Sequence, residues 1–362
     1  MTYQRSAISV REIELQARQQ AESIGRECLP GAIKDGHYLK AGSIGGERGS
    51  SLVLNLAGAN RGMWRDWSNG DQGDMTVLVE QAMFGGDRGQ AVQWLKSRLG
   101  LDDLDPERLK RVRAQAARQD EALEQAAARE AEAKKRGARA LWLNAPDTIE
   151  GTPAARYLEA RGISGARLGH WPGALRYHAE VWNRDAGVKL PCMVSQMILP
   201  SGEHVATHRT WLGRDARTRL WVKADGADLG VPRGSAKKVL GKSRGAFVPL
   251  RKGASRQTMG RMRRPETLYV TEGIEDALTV AMCKPDARVI AAYSLGNLGS
   301  IEFPGAIEKI VLVADRDDGA REMELLERAI AKQQARGHRV QLVLPPVGFK
   351  DVNAWLLAGE AA

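Results

Sequence analysis

Leu268-Tyr269-Val270-Thr271-Glu272-Gly273-Ile274-Glu275-Asp276-Ala277-Leu278 and Ile310-Val311-Leu312-Val313-Ala314-Asp315-Arg316-Asp317 share one plan, a short apolar run that ends in acids. Runs of this length rich in Val, Ile and Leu read as buried strands. Working outward, the pattern predicts strand 267–270, helix 274–283, strands 288–292 and 309–314, helix 319–335, strand 339–344 and helix 352–357. Such alternation is that of a mainly parallel sheet with helices on both faces. Ligands of an open α/β sheet collect outside the carboxyl ends of its strands, so Glu272 and the pair Asp315 and Asp317 are expected at one crevice. A hard divalent cation needs such carboxylate oxygens, with water and substrate phosphates completing its octahedron.

Four short signals in this order carry a resemblance. Glu272-Gly273-Ile274-Glu275-Asp276 looks like the first Toprim motif, and Asp315-Arg316-Asp317 like its D-x-D motif. Gly296 in Ser294-Leu295-Gly296-Asn297 matches the intervening glycine turn, and Lys350-Asp351-Val352-Asn353 resembles a further acidic motif of primases. The resemblance implies that Asp315 and Asp317 bind metal, that Glu272 binds metal or assists proton transfer, and that Asp351 completes the acidic rim. For Asp276 a role in orienting its neighbours and direct metal contact both stay open. The implied cofactor is Mg²⁺ or Mn²⁺.

Upstream, Thr152-Pro153-Ala154-Ala155-Arg156-Tyr157-Leu158, Leu190-Pro191-Cys192-Met193-Val194, His208-Arg209-Thr210-Trp211-Leu212 and Lys237-Lys238-Val239-Leu240-Gly241 resemble the region that precedes Toprim in primases of phages and mobile elements. That region implies a second cleft wall supplying basic residues to template and incoming nucleotide, with Arg209, Lys237, Lys238, Lys242 and Arg244 as candidates. Residues 193–199 and 204–212, split by Pro200-Ser201-Gly202, read as a hairpin. Ala236 to Ser243 fits a relaxed phosphate-loop pattern, but it follows Gly234-Ser235 and runs into a strand-like stretch, where a phosphate loop would follow a strand and open a helix.

Charge is unevenly spread. The 362-residue chain has a formal net charge of +10. Residues 204–264 hold 16 Lys or Arg against 3 Asp, whereas residues 265–362 hold 10 basic and 15 acidic residues. A strongly basic segment beside an acidic one fits a first part that holds phosphates and a second that holds metal. Three cysteines, Cys28, Cys192 and Cys283, lie far apart with no C-x-x-C pair, so they read as free buried thiols and no zinc is expected. No apolar run approaches the length of a membrane span, so the sequence predicts a soluble, cytoplasmic protein without a membrane partner.

Asp105-Pro106-Glu107 is a helix start, and the Ala-, Glu-, Arg- and Gln-rich stretch to Ala140 reads as one long polar helix. Before it, Trp64-Arg65-Asp66-Trp67 and Gly70-Asp71-Gln72-Gly73-Asp74 resemble the template-reading zinc ribbon of such primases, here without its cysteines. Trp64 and Trp67 either pack in its core or face out and stack on single-stranded bases; core packing is the expectation for each. The expected fold class is thus α/β: a zinc-ribbon-like template-binding module without zinc ligands at 1–101, a helical linker at 102–142, an α+β basic subdomain of a primase core at 143–264, and a Toprim catalytic domain at 265–362.

The resemblance implies a DNA primase-like, template-dependent RNA polymerase of a phage, plasmid or integrated element. It would use a single-stranded DNA template and nucleoside triphosphates, with a replicative helicase or replication initiator acting in trans. A Toprim metal-dependent nuclease and a non-catalytic nucleic-acid-binding protein are the alternatives. A topoisomerase is not expected, because only a few residues follow Asp351 and none forms a tyrosine domain.

Overall fold

The computed structural model describes residues 8–102, 104–226, 229, 231–316 and 319–360, apart from the side chains of 320, 321 and 360. The chain divides into two compact units, Met1–Glu130 and Ala131–Ala362.

The first unit opens with helix α1 (Val10–Gln19), which a capping box starts: the Ser9 hydroxyl accepts from the Glu12 N–H at 3.2 Å, and the Glu12 carboxylate accepts from the Ser9 N–H at 2.7 Å. Helix α2 (Ala21–Cys28) leads into strands β1 (Ile33–Asp35), β2 (Tyr38–Ala41), β3 (Leu52–Asn55), β4 (Trp64–Asp66) and β5 (Gln72–Gly73), paired in chain order and antiparallel. Helices α3 (Met75–Phe84) and α4 (Arg88–Arg98) follow, N-capped by the side chains of Asp74 and Asp87. Leu39, Leu52, Leu54, Trp64, Met75 and Leu78 form its core. Because side chains alternate along β4, Trp64 points in and Arg65 out. Helix α5 (Pro106–Leu143) contains the unit boundary and starts where Asp105 accepts from the Arg108 N–H.

The second unit holds two sheets. Helices α6 (Pro153–Glu159) and α7 (Gly165–Leu168) precede an antiparallel sheet of β6 (Leu175–Asn183), β7 (Val188–Ile198), β8 (His204–Arg214), β9 (Trp221–Lys223) and β10 (Lys237–Gly241). Both β9 and β10 pair with β8, at different positions along it. Residues 237–241 are therefore strand, which disposes of a phosphate loop there.

Then comes the α/β part: β11 (Val248–Lys252), β12 (Glu266–Thr271), α8 (Ile274–Cys283), β13 (Arg288–Ala291), α9 (Leu295–Leu298), β14 (Ile307–Val313), α10 (Ala320–Ala335), β15 (Arg339–Val343) and α11 (Val352–Glu360). The strand order is β11-β13-β12-β14-β15, with β11 antiparallel and the others parallel. One core joins α6, the antiparallel sheet, α8 and one face of the parallel sheet, through Tyr157, Met193, Leu212, Ile274, Leu278 and Val313. Another lies on the sheet's other face under α10, where Leu326 and Ala329 meet Leu268, Ile310 and Leu312.

Two expectations need correction. Cys28 and Cys192 are buried, but Cys283 is exposed because it ends α8. Trp67 lies one residue past β4, three along from the buried Trp64 and so facing the opposite way, and is 67% exposed. Among the described residues no helix is long and apolar enough to cross a membrane.

Candidate active site

A cleft of about 430 Å³ opens at the carboxyl ends of β12 and β14, and its lining includes Glu272, Asp276, Asp315 and Asp351. Each acid arrives by a separate element. Glu272 directly follows β12, and its carbonyl accepts the Tyr293 N–H at 3.1 Å. Asp276 lies on the first turn of α8. Asp315 follows β14 by two residues. The turn after it is tied to the loop that carries Asp351, since the Arg316 N–H donates to the Lys350 carbonyl at 2.7 Å and the Arg316 guanidinium to the Pro345 carbonyl at 2.6 Å. Asp351 caps α11, accepting from the Ala354 N–H at 2.7 Å.

Asp276 is buried and accepts the Asn353 N–H at 3.1 Å, while the Asn353 amide donates to the Arg161 carbonyl and the Thr279 hydroxyl. Burial, and after it the charges of Asp351 and Asp315, push the Asp276 carboxyl up to about 7, against that one hydrogen bond.

Opposite stand Arg161, His208, Lys223 and Lys237, with Lys350 on the acidic side. Register explains the basic set. Lys237 pairs with Thr210, and Lys223 with Leu212, two residues further along β8. His208, Thr210 and Leu212 share one face of β8, so their partners Lys237 and Lys223 project the same way, into the cleft. His208 is buried neutral: burial and the neighbouring Lys237 lower its imidazole to about 3. Its ring packs edge-on against Tyr293, centroids 5.4 Å apart. Tyr293 itself has φ +73°, the left-handed region that a bulky side chain rarely enters.

Glu275 joins the two sides. It sits in the first turn of α8, 4% exposed, with one carboxylate oxygen 3.0 Å from the Lys223 ammonium and a hydrogen bond from the Tyr157 hydroxyl. Burial opposes its ionisation, but the charges of Lys223 and Lys237 and the Tyr157 donor outweigh that and hold it far below the usual carboxylate range. Lys223 is lowered, by burial first, against the pull of Glu275; for Lys237 burial also lowers, but the charge of Glu275 helps to keep it raised.

Residues 132–250 match a family model described as a domain of unknown function (DUF7146), and residues 267–361 match the Toprim domain model. The C-terminal domain is a Toprim domain. No curated protein matches the chain. Among solved structures the chain is similar to the Aquifex aeolicus primase (zinc-binding and RNA polymerase domains), at 15% identity over 97% of this chain and 83% of that one, TM-score 0.36. It is also similar to the primase fragment of the bacteriophage T7 primase-helicase protein, at 16% identity over 57% of this chain and 70% of that one, TM-score 0.35. Likeness at this level fixes neither a shared reaction nor shared residues.

The Toprim acids Glu272, Asp276, Asp315 and Asp351 are thus brought together, while Asp317 lies outside the described residues. Gly296 is in α9 with open space where a Cβ would stand, so no close approach demands glycine there.

The basic candidates divide. Of the five, Lys237 lines the cleft. Lys238 projects from the other face of β10 and pairs with Asp185 at 2.9 Å, and its cross-strand partner Arg209 lies over the Trp211 ring. Lys242 and Arg244 come after the Gly241 end of β10 and are absent from the lining. In their place stand Arg161, Lys223 and Lys350, which sequence reasoning passed over.

Trp64 is unsuited to base stacking, being 2% exposed with its indole N–H on the Asp74 carbonyl, whereas Trp67 is open and lies under the Arg65 guanidinium, 4.3 Å from its ring centroid.

The donor chemistry of the Toprim acids fits a hard divalent cation: all are carboxylate oxygens, and the buried Asp276 carries negative neighbours that a cation would relieve. Among the described residues no three His, Cys, Asp or Glu already stand close enough together to hold an ion. The donor set fits a hard divalent cation that keeps water and substrate oxygens in its shell, with Glu272, Asp315 and Asp351 as the residues that would hold it.

Proposed function

We propose that the chain is a primase-like, template-dependent RNA polymerase that makes primers on single-stranded DNA from nucleoside triphosphates by metal-dependent nucleotidyl transfer. The observation that carries this reading is the cleft itself, with carboxylates at the Toprim strand ends facing half-buried cations across about 430 Å³. A bound Mg²⁺ or Mn²⁺ would lower the charge barrier to attack on the α-phosphorus and stabilise the departing pyrophosphate. Lys223, Lys237 and Arg161 bind the triphosphate from the opposite side and orient it toward the acids. Glu272 is placed to hold the cation or to take the proton of the attacking 3′ hydroxyl, and Asp317 joins the donors by its motif. Tyr293 and His208 form a rigid partition beside the reacting groups.

In this reading the N-terminal unit, residues 1–101, holds template, with Trp67 and Arg65 offering a stacking surface. Residues 102–142 link it to the core, of which residues 143–264 form the basic wall and 265–362 the Toprim wall. A replicative helicase or replication initiator of a phage, plasmid or integrated element would deliver the enzyme to DNA in the cytoplasm. Incubation with single-stranded DNA, labelled nucleoside triphosphates and Mg²⁺ or Mn²⁺ tests the proposal. Short template-dependent ribo-oligomers are expected. Cleavage of the DNA without nucleotides, and no synthesis with them, would establish the nuclease instead.

A further inference from the structure

A fully buried acid in an active-site cleft has two quite different uses: it can ligate metal, or it can fix the cations around it. Glu275 lies three residues from Glu272 and next to Asp276, so proximity alone suggests a ligand. Its partners say otherwise. One oxygen is 3.0 Å from the Lys223 ammonium, the Tyr157 hydroxyl donates to the same oxygen, and Lys237 supplies a second strong positive charge. Through Oε1 this carboxylate is engaged by β9 and α6, so its charge is already matched, whereas Asp276 faces Asp351 and Asp315.

Lys223 and Lys237 meanwhile have every reason to leave. Each has a long flexible stem, the two ammonium groups repel each other, and both are half-buried. The cross-strand register sets their direction, while Glu275 holds the end of Lys223 by contact and adds its negative charge beside Lys237.

We infer that Glu275 is a positioning residue, and not a metal ligand: it anchors the Lys223–Lys237 ammonium pair as a receptor for a polyphosphate chain facing the Toprim acids. As a statement about triphosphate this rests on the polymerase reading above; as a statement about a polyphosphate site it does not. Tyr157 completes the anchor from α6, so one carboxylate couples α6, β9 and β10 to the first turn of α8.

The test uses the full chain and three readouts: binding of inorganic tripolyphosphate, binding of Mn²⁺, and nucleotide KM and kcat in primer synthesis. Glu275→Gln is expected to weaken tripolyphosphate binding about tenfold and to raise the nucleotide KM by a similar factor, with a smaller fall in kcat, because the receptor is used before the chemical step. Mn²⁺ binding should be unchanged, whereas Asp315→Asn lowers it. In a Lys223→Met background the further loss caused by Glu275→Gln should fall well short of its tenfold effect alone, since the two residues act as a unit.

A loss of Mn²⁺ binding in Glu275→Gln equal to that in Asp315→Asn, independent multiplying effects with Lys223→Met, or tripolyphosphate binding equal to or tighter than wild type would each overturn the assignment. If Glu275→Gln fails to fold, Tyr157→Phe removes one hydrogen bond from the same carboxylate and is expected to weaken tripolyphosphate about two- to threefold; unchanged binding there overturns it as well. A wild type that makes no primers but loses tripolyphosphate on Glu275→Gln refutes the polymerase reading and leaves the positioning role standing.

Discussion

The two sides of the cleft hold their charges by different physics. On the Toprim side the acids are short side chains at strand ends and helix starts, placed by the backbone: Glu272 follows β12, Asp315 follows β14, Asp351 caps α11. On the opposite side the cations sit at the ends of long stems that leave the face of a sheet, and a single buried carboxylate from across the cleft pairs with one of them, Lys223, and offsets the charge of a second, Lys237. The acidic side should therefore lose function without losing structure when one carboxylate is neutralised. The basic side should lose structure when its one anchor goes.

Neutralising the acidic side gives the largest effect. Asp315→Asn is expected to cut primer synthesis about 10³-fold, several kcal/mol of lost charge stabilisation, with thermal unfolding nearly unchanged. Synthesis rates within a few fold of wild type would remove Asp315 from the metal site.

Next comes the anchor. Glu275→Leu leaves the half-buried Lys223 ammonium without its pair and Lys237 without the neighbouring negative charge, and should destabilise the second unit by about 2 kcal/mol in denaturant unfolding, below the range for fully buried pairs because Lys223 keeps solvent contact. Replacing the whole set, with Glu275→Leu, Lys223→Met and Lys237→Met together, should recover most of that stability while activity stays absent. If the triple variant is no more stable than Glu275→Leu, the cluster is not an electrostatic unit.

His208 sharpens the same contrast through pH. Its imidazole is held at about 3 when folded, against about 6.5 unfolded, so its contribution is fully present above about pH 6.5 and is lost as pH falls toward 3. Comparing wild type with His208→Gln, the pH-dependent gap should reach about 2 kcal/mol at pH 5 and vanish at pH 7.5. Parallel stability curves between pH 7.5 and 5 would show that the ring is protonated or exposed.

The smallest effect separates the two faces of β10. Lys237→Ala should weaken binding of single-stranded DNA or nucleotide and lower the salt dependence by up to about 0.7 slope units, whereas Lys238→Ala loses only an exposed pair with Asp185, worth at most about 1 kcal/mol, and leaves the slope alone. Equal slopes in the two variants would mean that both faces of the strand meet phosphate.

The same difference explains what could be read from the chain. In a parallel sheet every strand points the same way and ligands gather at one end, so acids that follow apolar runs converge wherever the strands lie. Glu272, Asp315 and the strand–helix alternation from 265 onward were legible for that reason, and helix 274–283 appears at the expected bounds. The antiparallel wall obeys a period of two, and one residue of register decides which face sees the cleft. Lys237 and Lys238 are adjacent and chemically equal, and only the pairing of Lys237 with Thr210 separates them. Lys223 stands apart from the basic motif, and Glu275 reads as an ordinary acid at a helix start; neither carries a local signal that a cross-domain cluster exists. The alternation in Trp64-Arg65-Asp66-Trp67 was itself enough to divide the two tryptophans, since positions three apart on a strand face opposite ways and Trp67 falls on the side of Arg65.

Tyr293 carries a different consequence. A non-glycine residue at φ +73° costs about 1 to 3 kcal/mol, and here the bond from its N–H to the Glu272 carbonyl and its ring against His208 keep it in place. The loop after β13 is thus a loaded spring set directly against the backbone of Glu272. Glycine or asparagine at 293 would release that tension, and the backbone of Glu272 would then lose a neighbour that is held taut by an aromatic ring.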